Sequence, residues 1–328
     1  MVSEDRIAAS SFRARLMRLL AGVVVPLVAG LAVAAGPPPA GAIEAVRLAD
    51  DVLLFPGIAE APSAANRGRV ANVAAILAPG GAILIGSGSS DAHGEAILAR
   101  IERELPKPPV LAVNLYAGAE HVLGNTALER RGVTILAHEE TDRYLRQNCP
   151  RCIRNLAAAA GEDALRGSAP ARPGRLIGAS QTVEPGGRRI EILHFGPAHQ
   201  AGDLAVFDPA SGILFAGALA SFGAVPDAHD ADIEGWLAAL EALGRIPARI
   251  VVPDRGPPAP PARLAEVAAY LRELRDATAQ AYRAGVPLRD APRAAELPRY
   301  RQWALYEQNH ARNVHHEYLR LERSDLER

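Results

Sequence analysis

The amino-acid sequence predicts a mixed α/β fold in which two β-sheets pack face to face with helices on their outer surfaces. Three observations predict it: alternating strand patterns at the start, alternating helices and strands from 92 to 137, and the return of strands and a helix after a Pro- and Gly-rich stretch at 167–178. Two successive halves of this kind are typical of layered sheets covered by helices. A chain of 328 residues, 49% hydrophobic, can bury one large core with appendages.

The first half begins with strand patterns. Apolar and polar residues alternate from 46 to 54, and the segments 72–78 and 82–85 are predicted strands joined by a Pro-Gly-Gly turn. The chain then alternates between helix and strand, with a helix at 92–104, a strand at 110–114, a helix at 122–131 and a strand at 134–137.

The second half repeats this order and adds helices. Its predicted elements are strands at 188–194, 204–207 and 213–215, a helix at 236–243, a strand at 249–252, a helical stretch at 261–284 and a last helix at 301–322. In the last helix Trp303, Tyr306, His310 and Tyr318 recur at roughly helical spacing. This stripe predicts a helix docked on the domain, and a partner or homodimer surface stays open as the alternative.

The first residues resemble an export signal. Arg13, Arg15 and Arg18 precede an uncharged apolar run at 19–35, and small residues follow at 40–42. This order is typical of a signal peptide, and it predicts cleavage after Ala42 and a periplasmic or secreted protein without a membrane partner; an uncleaved anchor is the alternative. We therefore divide the chain into a signal peptide at 1–42, a main domain at 43–286 and a helical extension at 287–328.

Charge and cysteine content narrow the function further. The formal net charge of -1 gives no basic surface for nucleic acid, so nucleic acid is not an expected partner. The two cysteines, Cys149 and Cys152, are expected to form a local disulfide in an oxidising compartment or to be spare thiols without a redox role. A redox pair or half of a zinc site are the alternatives.

Four short segments carry a resemblance to a known family. They are Glu-His-Val-Leu-Gly-Asn at 120–125, Gly-Pro-Ala-His-Gln-Ala-Gly-Asp at 196–203, Phe-Ala-Gly at 215–217 and Pro-Asp-Arg-Gly at 253–256. In this order they resemble the metal-binding segments of the metallo-β-lactamase superfamily. The resemblance implies a four-layer αββα sandwich. Segments at 66–72, 235–237 and 303–314 further resemble the quinoprotein relay system zinc metallohydrolases, a periplasmic branch.

The sequence departs from the family pattern at most metal ligands. Against the family pattern Thr-His-x-His-x-Asp-His, Tyr116 and Gly118 stand for two histidines and Glu120 for the aspartate. Ala218 stands for the bridging aspartate and Arg255 for the last histidine. A supporting aspartate at the end of the second predicted sheet strand is replaced by Gly86.

The surviving candidates are His121, His199 and Glu120. They are the candidate catalytic residues, and they could hold a single zinc ion only if a residual mononuclear site exists, so no cofactor is favoured. Because a guanidinium repels a divalent cation, we expect Arg255 to pair with Glu120 instead. Asp254 is expected to face solvent or to cap a turn.

Other polar residues are weaker candidates. His138 and His194 flank predicted strands and are expected to be structural. The serines at 87, 89 and 90 precede a helix but lack the lysine of a phosphate loop, and His315 and His316 lie on a charged helix.

Two functions follow from the sequence. The first is an impaired or non-catalytic relative of the family that binds a small molecule or a periplasmic protein. The second is a hydrolase that works with one metal or none, in which His121 or His199 is the general base and Glu120 orients it.

Overall fold

The computed structural model describes residues 43–327, which form two β-sheets packed face to face with helices on both outer surfaces. The predicted signal peptide at 1–42 lies outside the described residues. Within 43–327, no helix is long and apolar enough to cross a membrane.

The first sheet has seven strands that lie side by side in chain order. They are antiparallel up to the fourth strand and parallel from there to the seventh. The strands are β1 Val46–Ala49, β2 Val52–Phe55, β3 Val73–Ala78, β4 Gly81–Ile85, β5 Leu111–Val113, β6 Thr134–His138 and β7 Arg175–Ile177.

The second sheet has five strands, in reverse chain order across the sheet. Its strands are β8 Gln181–Val183, β9 Ile190–Leu193, β10 Ala205–Asp208, β11 Ile213–Ser221 and β12 Ile250–Arg255. The last two are parallel and the other neighbours antiparallel.

The helices cover the outer faces of both sheets. They are α1 Asp91–Glu104, α2 Ala119–Val122, α3 Asn125–Arg130, α4 Glu139–Ala160, α5 Ile233–Gly244, α6 Leu264–Arg283, α7 Ala291–Ala294 and α8 Ala311–Leu326. Short 3-10 turns lie at Glu162–Leu165, Pro185–Gly187, Pro261–Arg263 and Pro298–Tyr300, and a π-helical turn at Tyr306–His310.

The buried apolar residues form layers that match the predicted αββα order. Ile83 of the first sheet and Phe215 of the second belong to the core between the sheets. Leu84 packs with Ile97 of α1 on one outer face, and Trp236 of α5 lies in the core on the other. The predicted fold class is therefore confirmed.

Helix α4 is the main element that the sequence pattern did not predict. His138 caps its N-terminus, because the His138 Nδ1 accepts a hydrogen bond from the Glu140 N–H at 3.1 Å, and acidic residues in the first turn suit the helix dipole. Pro150 lies within it and supplies no N–H, so the helix loses one internal hydrogen bond there. Burial of one side of α4, including Leu145 and Leu156, holds the helix in spite of the proline.

Three further boundaries differ from prediction. The predicted strand at 46–54 is a hairpin, because a turn at 50–51 separates β1 from β2. Two short strands were not predicted: β7 lies within the Pro- and Gly-rich stretch and β8 follows it. The last helix begins at Ala311 rather than 301, after the π-helical turn.

The aromatic stripe of the C-terminal segment packs on the domain. Tyr306, Val314 and Tyr318 are buried in the same core as Trp236 and Tyr270. The predicted docking of this segment is confirmed, whereas a dimer surface on its outer side stays a prediction.

Candidate functional site

A cleft of about 580 Å³ opens where the loops at the strand ends of both sheets meet α4 and the C-terminal segment. Its lining includes the positions at which the family resemblance expects metal ligands: Tyr116, Gly118, Glu120, His199, Ala218 and Arg255. His121 does not line the cleft. The sequence therefore located the cleft, but it did not determine how these side chains are arranged.

Arg255, at the end of β12, lies in the cleft wall and is held by three oxygen atoms. Its Nη2 donates to Glu120 Oε1 at 2.9 Å, its Nε to Asp254 Oδ2 at 3.0 Å and its Nη1 to the Glu60 carbonyl at 3.3 Å. The side chain is 14% exposed. Burial lowers the pKa of Arg255, but the two carboxylates outweigh burial and raise it above its usual value. The predicted pair between Arg255 and Glu120 is confirmed.

Asp254 is part of the same cluster, so the expectation that it faces solvent was wrong. β12 continues through this residue and turns its side chain inward, where the side chain is 9% exposed. Its Oδ1 accepts a hydrogen bond from the Tyr116 hydroxyl at 2.7 Å. Burial, and then the Asp254 charge, raise the pKa of Tyr116 well above its usual value of 10, which keeps this phenol protonated as a donor.

The tyrosine at 116 and the glycine at 118 depend on each other. A Cβ atom added to Gly118 would lie 2.2 Å from Cε2 of Tyr116, far closer than two carbon atoms can approach. The Tyr116 ring therefore occupies the space in which a side chain at 118 would begin. These two departures from the family pattern form a single structural change.

His121 is fixed in the protein interior, 1% exposed. Its Nε2 accepts a hydrogen bond from the Leu115 N–H at 3.1 Å, and its Nδ1 has no hydrogen-bond partner among the described residues. A Cβ on Gly86 would lie 2.6 Å from Cε1 of the ring, so the ring needs a glycine there. Burial lowers the pKa of His121 to about 4. The predicted site of His121, His199 and Glu120 is therefore not assembled, because His121 turns toward the Leu115 backbone.

His199 does line the cleft, and Asp203 orients it. The His199 Nδ1 is 3.1 Å from Asp203 Oδ1, while the other carboxylate oxygen accepts from the Gln200 N–H at 2.6 Å. The ring meets Tyr116 and Trp236 edge to face. Burial lowers the pKa of His199, but Asp203 outweighs it and the net pKa is raised above 6.5. Nε2 is left as the ring nitrogen available to the cleft.

A second polar group in the cleft wall was missed by sequence reasoning. His229 lies between two carboxylates, with Nδ1 2.9 Å from Asp227 Oδ1 and Nε2 2.9 Å from Asp230 Oδ2. Hydrogen bonds to Asp227 and then Asp230 raise the pKa of His229 to about 9, so it is charged at neutral pH. Arg312 Nη2 donates to Asp227 at 2.5 Å, and the Tyr144 hydroxyl donates to Asp230 at 3.1 Å. The sequence Asp-Ala-His-Asp at 227–230, in which a histidine lies close to two carboxylates, could have indicated this group.

The C-terminal segment holds the loop that carries this group. Asn313 Nδ2 donates to the Pro226 carbonyl at 2.9 Å, and its Oδ1 accepts from the Ala228 N–H at 2.9 Å. Asn309 Nδ2 donates to the Val225 carbonyl at 2.8 Å. The extension is therefore part of the cleft wall.

The other candidate histidines have structural contacts. His138 and His194 stack with ring centroids 4.0 Å apart, and His194 Nδ1 is 3.0 Å from the Asp203 carbonyl oxygen. On α8, the His315 side chain is exposed and its ring meets that of His316 edge to face.

The serine loop before α1 is also structural. Ser87 Oγ donates to the His121 carbonyl at 3.1 Å, and Ser90 Oγ accepts from the His93 N–H at 3.1 Å as the helix cap. The Ser89 N–H donates to His93 Nδ1.

The two cysteines are free in this structure, which agrees with the spare-thiol alternative and not with the disulfide. Both lie on α4, where Cys149 is buried and Cys152 is half-buried and lines the cleft. Burial raises the pKa of Cys149 to about 11 and also raises that of Cys152. Reactive redox thiols have lowered pKa values, so this setting does not favour the redox alternative.

Comparisons with known proteins agree with this architecture. A model of the metallo-beta-lactamase superfamily matches residues 66–255, more than half of the chain. The metallo-beta-lactamase from Pontibacter korlensis is 23% identical with a TM-score of 0.55, covering 70% of this chain and 99% of its own. The metallo-beta-lactamase from Hirschia baltica is 23% identical with a TM-score of 0.54, covering 70% of this chain and 97% of its own. DIM-1 metallo-beta-lactamase is 19% identical with a TM-score of 0.56, covering 70% of this chain and 97% of its own. At these identities the solved structures show a shared fold.

Proposed function

This chain belongs to the metallo-beta-lactamase superfamily, and we propose that within it the protein is an exported ligand-binding member that does not hydrolyse substrates with zinc. Its ligand is a small molecule or a periplasmic protein that enters the cleft. The resemblance of its C-terminal segment to the quinoprotein relay system branch supports an accessory role in a periplasmic oxidation system.

The observation that carries this proposal is the hydrogen-bonded cluster of Tyr116, Asp254, Arg255 and Glu120. A catalytic zinc ion uses about three protein ligands and an open position for water. In the cleft, both Glu120 and Asp254 are already paired with the Arg255 guanidinium. The guanidinium repels a divalent cation, so a metal ion could bind these carboxylates only if Arg255 moved away from them.

The remaining donors do not complete a zinc site. His121 offers Nε2 to the Leu115 backbone, and His199 offers one ring nitrogen to the cleft. Across residues 43–327, no group of three or more histidine, cysteine or acidic side chains is placed to hold a metal ion. The residues present therefore do not fit the zinc ion that the family implies.

A metal-binding experiment tests this proposal. The purified mature protein is incubated with excess zinc, dialysed, and measured by mass spectrometry for bound metal, in parallel with lactam, thioester and phosphodiester hydrolysis assays. We expect substoichiometric zinc and no zinc-dependent turnover. One tightly held equivalent of zinc, with turnover that is lost in His199→Ala, would contradict the proposal.

A second candidate function rests on the His199–Asp203 pair. A histidine with Nδ1 held by a carboxylate can accept a proton at Nε2, so a hydrolase that needs no metal is chemically feasible here. Asp203, rather than Glu120, orients the ring. This function predicts hydrolysis that survives a chelator, is lost in His199→Ala and is reduced in Asp203→Asn.

Export is tested separately from the cleft. We expect a periplasmic or secreted mature chain that begins at Ile43, as measured by N-terminal sequencing of the protein from each cell fraction. A chain that keeps residues 1–42 and sediments with membranes would favour the anchor alternative.

A further inference from the structure

A second cavity, of about 220 Å³, lies beside α4 and shares no lining residue with the cleft. Its apolar lining includes Val122, Leu123, Leu145, Cys149 and Ala171. An apolar cavity of about 150 Å³ is large enough to bind benzene. This cavity can therefore hold a small apolar group, and the inference drawn from it does not depend on the function of the cleft.

Two arginines beside this cavity share a single carboxylate. Arg172 donates to both oxygens of Asp142 at 2.9 Å, so the two side chains form a bidentate ion pair. Arg146 Nε is 3.4 Å from Asp142 Oδ2, which is a weaker contact. The Asp142 side chain is 1% exposed, whereas those of Arg146 and Arg172 are 54% and 53% exposed. The local charge is therefore positive, and it is presented at the protein surface.

Pro150 contributes to the shape of the cavity. Because proline has no N–H, the fourth preceding carbonyl, that of Arg146, lacks its usual helical donor. Pro150 lines the cavity together with Pro170 of the facing loop. The cavity therefore lies between α4 and that loop.

We propose that this cavity binds a small monocarboxylate with an apolar body, of the size of octanoate. The apolar lining takes the hydrocarbon chain, and Arg146 binds the carboxylate because its guanidinium is the less engaged of the two. An apolar amine would meet the excess positive charge, and a free phosphate would leave the apolar lining unused.

Cys149 reports directly on occupancy of the cavity. The chain has two cysteines, so Cys152→Ser leaves Cys149 as the only thiol. In this background the rate of Cys149 alkylation by N-ethylmaleimide is measured by mass spectrometry with octanoate, octylammonium or no ligand. We expect octanoate to slow alkylation and octylammonium to leave the rate unchanged.

Calorimetry with a series of carboxylates measures the apolar contribution. From butanoate to octanoate we expect one binding site and an affinity that rises about fourfold for each added methylene group. Arg146→Gln is expected to weaken octanoate binding about fivefold, which suits a half-exposed ion pair, without changing the weak binding of octanol. Ala171→Phe, which fills the cavity from its half-buried edge, is expected to abolish binding.

Four results would overturn the proposal: no protection of Cys149, equal protection by octylammonium, no effect of Arg146→Gln, or unchanged binding in a folded Ala171→Phe protein. The circular dichroism spectrum and melting temperature of each variant establish that it is folded. Arg146 and Ala171 line this cavity and not the cleft, so failure of this proposal is distinguishable from failure of the proposed function.

Discussion

Replacing Arg255 by methionine tests whether the charged cluster in the cleft stabilises the fold. The substitution keeps an unbranched apolar side chain but removes the guanidinium that pairs with Glu120 and Asp254 at 2.9 and 3.0 Å. Two carboxylates then remain side by side without a cation. Such groups are costly to leave unpaired when they are shielded from water.

The magnitude follows from the burial of the two carboxylates. Breaking a buried ion pair from one side costs about 3–5 kcal/mol. The Glu120 side chain is 21% exposed and that of Asp254 is 9% exposed. Water can therefore hydrate the Glu120 carboxylate in part and reduce the cost of leaving it unpaired. We therefore expect Arg255→Met to lower the free energy of unfolding by about 3 kcal/mol at neutral pH.

The assay is urea unfolding followed by tryptophan fluorescence, since the chain has two tryptophans and Trp236 is buried against His199. The matched control is Arg245→Met, which removes the partner of Glu241 from a pair whose side chains are 71% and 69% exposed. Exposed pairs of this kind contribute little to stability, so the control is expected to unfold like wild type.

A triple variant separates charge from packing. Arg255→Met combined with Glu120→Gln and Asp254→Asn removes the unpaired charges, and we expect it to recover most of the lost stability. If Arg255→Met unfolds at the same urea concentration as Arg245→Met, or if the neutral triple variant is no more stable than Arg255→Met alone, the reasoning is refuted.

Two further predictions concern the loop that the C-terminal segment holds. Asn313→Ala removes the side chain bonded to Pro226 and Ala228 and leaves a buried N–H unpaired, so we expect a loss of about 3 kcal/mol by urea unfolding, with exposed His315→Ala on the same helix unchanged. The pKa of His229 rises from 6.5 to about 9 on folding, so its stabilising contribution is complete below pH 6.5 and is lost as the pH rises through about 9. Because this side chain is a third exposed, we expect it to contribute about 1 kcal/mol to the free energy of unfolding. A His229→Asn protein that shows the same decline in stability between pH 6.5 and 9 would contradict the assignment.

Much of the fold could be predicted from the sequence because apolar periodicity and the order of the four motif segments depend on local pattern. The same segments place residues 120 and 255 at one site, which was enough to predict that Glu120 and Arg255 pair. Opposite charges assigned to one buried site have few alternatives to pairing.

Helix α4 was not predicted because its strongest local signal, Pro150, argues against a helix interior. Its stability comes from packing against Val122 and Leu123 near α2 and against the turn at Glu162–Leu165, and the local pattern of the helix does not show these contacts. The two cysteines lie on the same helix, and only the folded chain shows that Cys149 faces an apolar cavity and Cys152 the cleft.

The sequence by itself determined the family, the layered fold and the identity of the side chains in the cleft. The tertiary structure decided their orientation: it turned His121 toward the Leu115 backbone, drew Asp254 to Tyr116, and brought Arg312 from the last helix to Asp227. Orientation depends on which hydrogen-bond partners and free spaces surround a side chain, such as the space that Gly86 leaves for the His121 ring. Those partners come from segments far apart in the chain, so the local sequence pattern does not predict them.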